Sequence, residues 1–95
     1  MAKVTPAIEA QIERYLTYLC AEWADIPEIA REWPTLAPAE RRTFIAEWPI
    51  REDRLLELRK YADSGLLTPA QRASYDKLLA MVHQYRPLVE RLLDG

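Results

Sequence analysis

The chain has 95 residues, of which 49% are hydrophobic and 29% charged, and its formal net charge is −2. This length suits a single helical domain over residues 1–95 with one core, and the composition is too apolar for intrinsic disorder. The weak negative charge lacks the basic excess that phosphate binding needs, so nucleic acid is a disfavoured partner.

The sequence lacks the apolar segments of membrane-spanning and secreted proteins, and it cannot form a disulfide within the chain. No apolar run approaches 18 residues, so we expect no membrane span, and the first ten residues lack the apolar stretch of a signal peptide. Cys20 is the single cysteine, which excludes a disulfide within the chain and fits a reducing compartment. We therefore expect a cytoplasmic protein.

Prolines divide the first third of the chain into two predicted helices. Thr5 provides an N-cap with proline behind it, and apolar residues at helical spacing predict a helix from about Pro6 to Ala24. Asp25 is predicted to cap a short connecting helix. That helix must end near Trp33, because Pro34 has no N–H and clashes with the preceding turn.

A third helix is predicted to begin at Pro38. Phe44, Ile45 and Trp48 form its apolar stripe, and Glu47 is placed to pair with Arg51 at i,i+4 spacing. Pro49 is expected to kink the helix or to break it briefly before the pattern continues to Ser64.

The end of this helix and the start of the next carry clear signals. Gly65 suits a left-handed C-terminal cap, and residues 68–71 (Thr-Pro-Ala-Gln) form a capping box. Pro87 either kinks the last helix or starts another one. The predicted fold is an all-α bundle of about three main helices and one short connecting helix, in which the last two long helices form an antiparallel hairpin.

No catalytic, cofactor-binding or metal-binding residue can be assigned. His83 and Cys20 are the sole histidine and cysteine, too few for a zinc site, and Cys20 is predicted to be a small apolar residue of the first helix. Neither glycine lies in a phosphate-binding loop. We therefore expect no enzymatic activity, no cofactor and no small-molecule substrate.

Two further patterns have a structural and a functional interpretation. The chain carries a series of four acidic residues: Glu22, Asp25, Glu28 and Glu32. This series is either a solvated face or a surface for a basic partner. The turn from Gly65 to Thr68 is either a hairpin turn or part of a helix-turn-helix that presents Arg72 and Lys77 to nucleic acid.

Residues 53–79 resemble in part the helical hairpin of the short C-terminal (SHOCT) domains. The shared elements are a leucine-rich helix, a Gly-x-Leu-Thr turn and a second helix. The resemblance covers less than a third of the chain and departs at Arg72, where that family has an aromatic residue. We interpret it as a common turn chemistry.

Leucine exceeds what one small core needs, which favours a partner-binding surface. The residues predicted for it are Leu56, Leu66, Leu67, Leu88 and Leu92. The sequence thus predicts a non-enzymatic protein that acts by protein–protein contact, as a homodimer or as an adaptor or antitoxin-like partner. The alternative is a nucleic-acid-binding regulator that uses the turn from Gly65 to Thr68.

Overall fold

The computed structural model describes residues 4–94, and over that range the chain is helical, with no strand. The helices are α1 (Pro6–Ala24), α2 (Ile26–Glu32), a short 3₁₀ helix (Trp33–Thr35), α3 (Pro38–Asp63) and α4 (Pro69–Leu93). The predicted all-α fold, with three main helices and one short connecting helix, is confirmed.

α1 and α2 together form one bent helix. The Thr5 hydroxyl accepts a hydrogen bond from the Ile8 N–H at 3.1 Å, as predicted for an N-cap. The prediction that the Asp25 side chain caps α2 is wrong, because Asp25 has helical φ and ψ of −82° and −9° whereas a capping residue needs an extended backbone. Instead the Asp25 N–H donates to the Ala21 carbonyl at 3.2 Å, which carries the helical pattern into the bend.

α3 and α4 each continue through an internal proline. α3 runs unbroken across Pro49, and α4 runs unbroken across Pro87. Both prolines lie on exposed faces, so their rings do not displace a core side chain. The prediction that Pro49 briefly breaks its helix is therefore wrong. The prediction that Pro87 starts a separate last helix is wrong as well.

The reversal between α3 and α4 follows the predicted chemistry. Gly65 has φ of +72°, and the Leu66 N–H donates to the Tyr61 carbonyl at 3.1 Å across it, closing the C-terminus of α3. At the start of α4, Gln71 N–H donates to the Thr68 hydroxyl at 3.1 Å and Thr68 N–H donates to the Gln71 side chain at 3.0 Å. The capping box is therefore confirmed.

Gly65→Ala should lower the free energy of unfolding by roughly 1–2 kcal/mol, because an L-residue with a Cβ is disfavoured in the left-handed region. A Cβ at this position meets no atom within 4 Å, so backbone conformation alone sets the cost. Gly65→Asn is the matched control and should lose less, since asparagine tolerates this conformation. Chemical denaturation measures both, and equal stability of Gly65→Ala and the parent would contradict the assignment.

α1 packs against both α3 and α4. Gln71 in the first turn of α4 donates to Glu13 in the middle of α1 at 2.9 Å, and further along both helices Arg86 lies 5.4 Å from the Trp23 ring centroid, so α1 and α4 run parallel. The Arg86 guanidinium donates to Glu52 at 3.2 Å, which pairs the second half of α4 with the middle of α3 and confirms the antiparallel hairpin.

The core lies along the inner faces of all three long helices and closes against α2 at one end. Each of the four α-helices contributes fully buried side chains; they are Ile12, Leu19, Trp23, Ile26, Leu58, Leu78 and Val89. Among the described residues, one polar side chain is buried, that of Gln71. Its amide oxygen accepts from the Thr68 N–H and its amide nitrogen donates to Glu13. Its burial therefore leaves no unpaired polar group.

Candidate interaction groove between helices α1 and α3

All three tryptophans lie in one aromatic cluster, which we define as Trp23, Trp33, Phe44 and Trp48. Trp23 and Trp48 pack edge to face, with ring centroids 5.2 Å apart and planes at 70°. Phe44 lies 5.4 Å from the ring of Trp33 and 5.4 Å from that of Trp48. The cluster joins α1, the 3₁₀ helix and the first half of α3, and burial of such large rings makes it the main anchor of that end.

Arg51 extends from the aromatic cluster toward α1. Its guanidinium lies 5.4 Å from the centroid of the Phe44 ring and 5.5 Å from that of Trp48, within the range of cation–π attraction. Its Nε donates to a carboxylate oxygen of Glu22, and the two side chains are only 20% and 23% exposed. This ion pair is therefore held in a partly dry site, where it is stronger than a surface pair.

The pairing of Glu47 with Arg51 predicted from the sequence is wrong. Arg51 turns away from Glu47 because it gains two aromatic faces and the half-buried carboxylate of Glu22. Glu47 is exposed and has no ion pair within 4.0 Å among the described residues. Its charge is therefore available on the surface of α3.

A second ion pair lies on the far side of the same tryptophans. The Arg86 guanidinium lies 5.4 Å from the centroid of the Trp23 ring and donates to Glu52. Arg51 of α3 therefore lies against Trp48, and Arg86 of α4 lies against Trp23. These contacts link α4 and α3 to α1 at the aromatic cluster.

Beside the Glu22–Arg51 pair, an open groove separates α1 from α3. It consists of two adjoining hollows of about 250 and 520 Å³, and we call it the α1/α3 groove. Its lining side chains are Tyr18, Ala21, Glu22, Glu47, Ile50, Arg51 and Arg54. Two carboxylates and two guanidinium groups balance each other in charge, and two large apolar side chains stand at the rim.

Those apolar side chains are conspicuously exposed. Tyr18 and Ile50 are each 51% exposed, although both belong to long helices whose other large apolar residues are mostly covered. Arg54 reaches Glu22 only at 3.9 Å, and the Nη1 atom of Arg51 is buried without a hydrogen-bond partner among residues 4–94. The groove therefore offers apolar area together with the partly exposed guanidinium of Arg54, whose ion pair with Glu22 is long.

The leucines predicted to bind a partner do not form one surface. Leu66 and Leu92 belong to the buried core, since the turn folds back onto α4 and the end of α4 packs against α2, so their apolar area is covered within the chain. Leu67 and Leu88 are half-buried against that core, and Leu56 is 52% exposed on α3. Leu56 is thus the one exposed member of the set.

Sequence reasoning missed Tyr18 and Ile50, although helical phase carries the signal. Ile50 comes two residues after Trp48, so it lies roughly 200° around the helix from the buried stripe. Tyr18 likewise comes two residues after the buried Leu16. An apolar residue opposite the core stripe is the pattern that points to an exposed contact.

The turn at residues 65–68 joins an antiparallel hairpin, whereas the helices of a helix-turn-helix cross at about 90–120°. Arg72 also has partners on its own helix: its guanidinium lies 3.6 Å from Asp76 and 5.7 Å from the Tyr75 ring centroid. Lys77 is exposed. Nucleic-acid binding through this turn gains no support from these contacts.

The groups with nucleophilic or metal-binding chemistry are not clustered. Burial raises the pKa of the Cys20 thiol, an effect that the Lys77 ammonium partly opposes. His83 is exposed on α4. Within residues 4–94, no group of three histidine, cysteine, aspartate or glutamate side chains is arranged to hold a metal ion.

The acidic series divides between two roles. Glu22 faces α3 and pairs with Arg51, whereas Glu28 pairs with Arg31 within α2. Asp25 and Glu32 are exposed. The series is therefore not one continuous acidic surface.

Comparison of the chain with protein-family models, with curated proteins and with solved structures finds no match. No helix in the described part of the chain is long and apolar enough to cross a membrane.

Proposed function

We propose that this protein is a non-enzymatic helical module that acts by protein–protein contact and associates with itself. The observation that carries the proposal is the exposure of Tyr18 and Ile50 on either rim of the α1/α3 groove. Covering the exposed half of each side chain removes apolar area from water; fully burying an isoleucine side chain is worth about 1.5–3 kcal/mol, and Ile50 is half exposed. Exposed apolar patches rimmed by charged groups are typical of protein interfaces.

The composition of the groove supports a protein partner over a small substrate. Its walls carry opposite charges in equal number, and its rim is wide open. Small-molecule sites are mostly apolar clefts that bury their ligand, whereas a charged rim around apolar anchors fits a macromolecular surface. We propose the cytoplasm as its compartment, because the single cysteine is half-buried and the fold uses no disulfide.

Sedimentation equilibrium tests self-association. At tens of micromolar we expect a mass approaching twice the chain mass of 11.1 kDa, and a return toward that mass on dilution. Tyr18→Ser should shift the equilibrium toward the monomer because it removes an exposed aromatic contact. A single species of 11.1 kDa across the whole concentration range would contradict the proposal.

A further inference from the structure

We infer that the occupant of the α1/α3 groove is a second copy of this chain, docked so that the two α3 helices pack antiparallel about a two-fold axis near Ile50. The inference rests on the proposed self-association and adds its geometry. It follows from the order of three groove residues along α3: Glu47, Ile50 and Arg54.

These three residues share one face of α3. Successive residues turn by roughly 100°, so Glu47 and Arg54 lie within about 60° of Ile50 on the helix surface. Thr43 and Ala46, which are also exposed, continue this face toward the N-terminus of α3. The Thr43 hydroxyl donates to the Ala39 carbonyl at 3.0 Å within its own helix, so the face offers small groups that allow a second helix to approach closely.

The charges on this face flank its apolar centre along the helix, with the negative charge on one side and the positive charge on the other. Glu47 precedes Ile50 by three residues and Arg54 follows it by four. If a two-fold axis passes between Ile50 and Arg51, Glu47 of one copy lies opposite Arg54 of the second copy, and the reverse pair forms as well. A two-fold interface requires such a self-complementary surface, and here each polar contact occurs twice.

The two members of this pair differ in their existing contacts. Glu47 has no ion pair within 4.0 Å among the described residues. Arg54 has a long ion pair of 3.9 Å with Glu22 and a 39% exposed side chain, so its guanidinium can also reach a carboxylate of the second copy. With the axis between Ile50 and Arg51, the Ile50 side chains of the two copies lie side by side at the centre, about 1.5 Å apart along the helix axes. Tyr18, which lines the groove together with Arg54, extends the apolar contact onto α1.

Charge reversal tests the pairing. Glu47→Arg and Arg54→Glu should each raise the dimer dissociation constant roughly tenfold, because each places two like-charge pairs at the interface. The double variant carrying both changes should return toward the parent constant, since it restores two opposite-charge pairs. Arg59→Glu is the control: it reverses a charge on the opposite side of α3 and should leave the constant unchanged.

Cysteine cross-linking tests the position of the axis. In a Cys20→Ala background, Ile50→Cys should form a covalent dimer on mild oxidation, because position 50 lies beside its counterpart. In the same background, Arg59→Cys should form no covalent dimer under the same treatment. Circular dichroism at low concentration checks that each variant retains its helical fold.

The outcomes separate this inference from the proposed function. A parent protein that dimerises while the charge variants and the Ile50→Cys cross-link behave like the Arg59 controls would overturn the groove interface and leave self-association standing. Weakening by both single reversals without recovery in the double variant would also overturn the antiparallel pairing. A parent protein that stays monomeric would overturn both proposals.

Discussion

Trp48→Ala should lower the free energy of unfolding by about 3–5 kcal/mol, the range for truncating a large buried aromatic side chain. The Trp48 ring is buried against Trp23 from α1 and Phe44 from its own helix, and it carries the guanidinium of Arg51. Its removal therefore leaves a cavity between two helices and takes away one face of a half-buried arginine. Chemical denaturation followed by circular dichroism at fixed protein concentration measures the loss.

Leu56→Ala is the matched control for this loss. Leu56 lies on the same helix but is 52% exposed, so its truncation should change stability by no more than about 0.5 kcal/mol. Trp48→Phe should lie between the two, because a ring remains to pack against Trp23. A loss of less than about 1 kcal/mol for Trp48→Ala would show that the aromatic cluster is not the anchor of this end of the bundle.

The sequence predicted the helices well because their boundaries depend on local chemistry. Three kinds of signal act within one helical turn: proline at the first helical position, the hydroxyl caps of Thr5 and Thr68, and a glycine in a left-handed conformation. Each of these signals is visible in a few adjacent residues. The bounds of α1, Pro6 and Ala24, agree with the prediction for this reason.

The pairing of charges could not be predicted in the same way. A local rule joins Glu47 to Arg51, but the tertiary fold brings Glu22 to Arg51 from twenty-nine residues away. That choice depends on the aromatic cluster, which exists only once α1 and α3 have packed. Burial of the leucines likewise depends on the turn and on α2, so Leu66 and Leu92 could not be separated from the exposed Leu56 by composition.

The tripeptide Glu-Trp-Pro occurs twice in the sequence, at residues 32–34 and 47–49, and its two copies have different structural roles. Pro34, which follows Trp33, lies within the 3₁₀ helix that comes directly after the bent helix formed by α1 and α2. After Trp48, proline lies inside a continuous α-helix. The tryptophan is the buried element in both copies, whereas the proline ends the helix in one and is tolerated in the other.

Pro49→Ala should therefore raise the free energy of unfolding, by about 2 kcal/mol. In a helix interior proline is roughly 3 kcal/mol less favourable than alanine, because it lacks an N–H and clashes with the preceding turn. Proline also restricts the unfolded chain, which offsets about 0.4–1 kcal/mol of that difference. The Pro49 ring is exposed, so replacing it removes no core contact. The neighbours Trp48 and Pro49 are thus expected to have opposite effects.

Pro38→Ala is the matched control, because Pro38 occupies the first position of α3, where a missing N–H costs nothing. The free energy of unfolding of Pro38→Ala should differ from that of the parent by no more than about 0.5 kcal/mol. Chemical denaturation of both proline variants and the parent measures these differences. A loss of stability in Pro49→Ala would mean that the proline sets a direction of α3 that the packing of Trp48 against Trp23 requires. In that case the interior proline would be part of how the aromatic cluster and the α1/α3 groove are assembled, rather than a local defect that the helix tolerates.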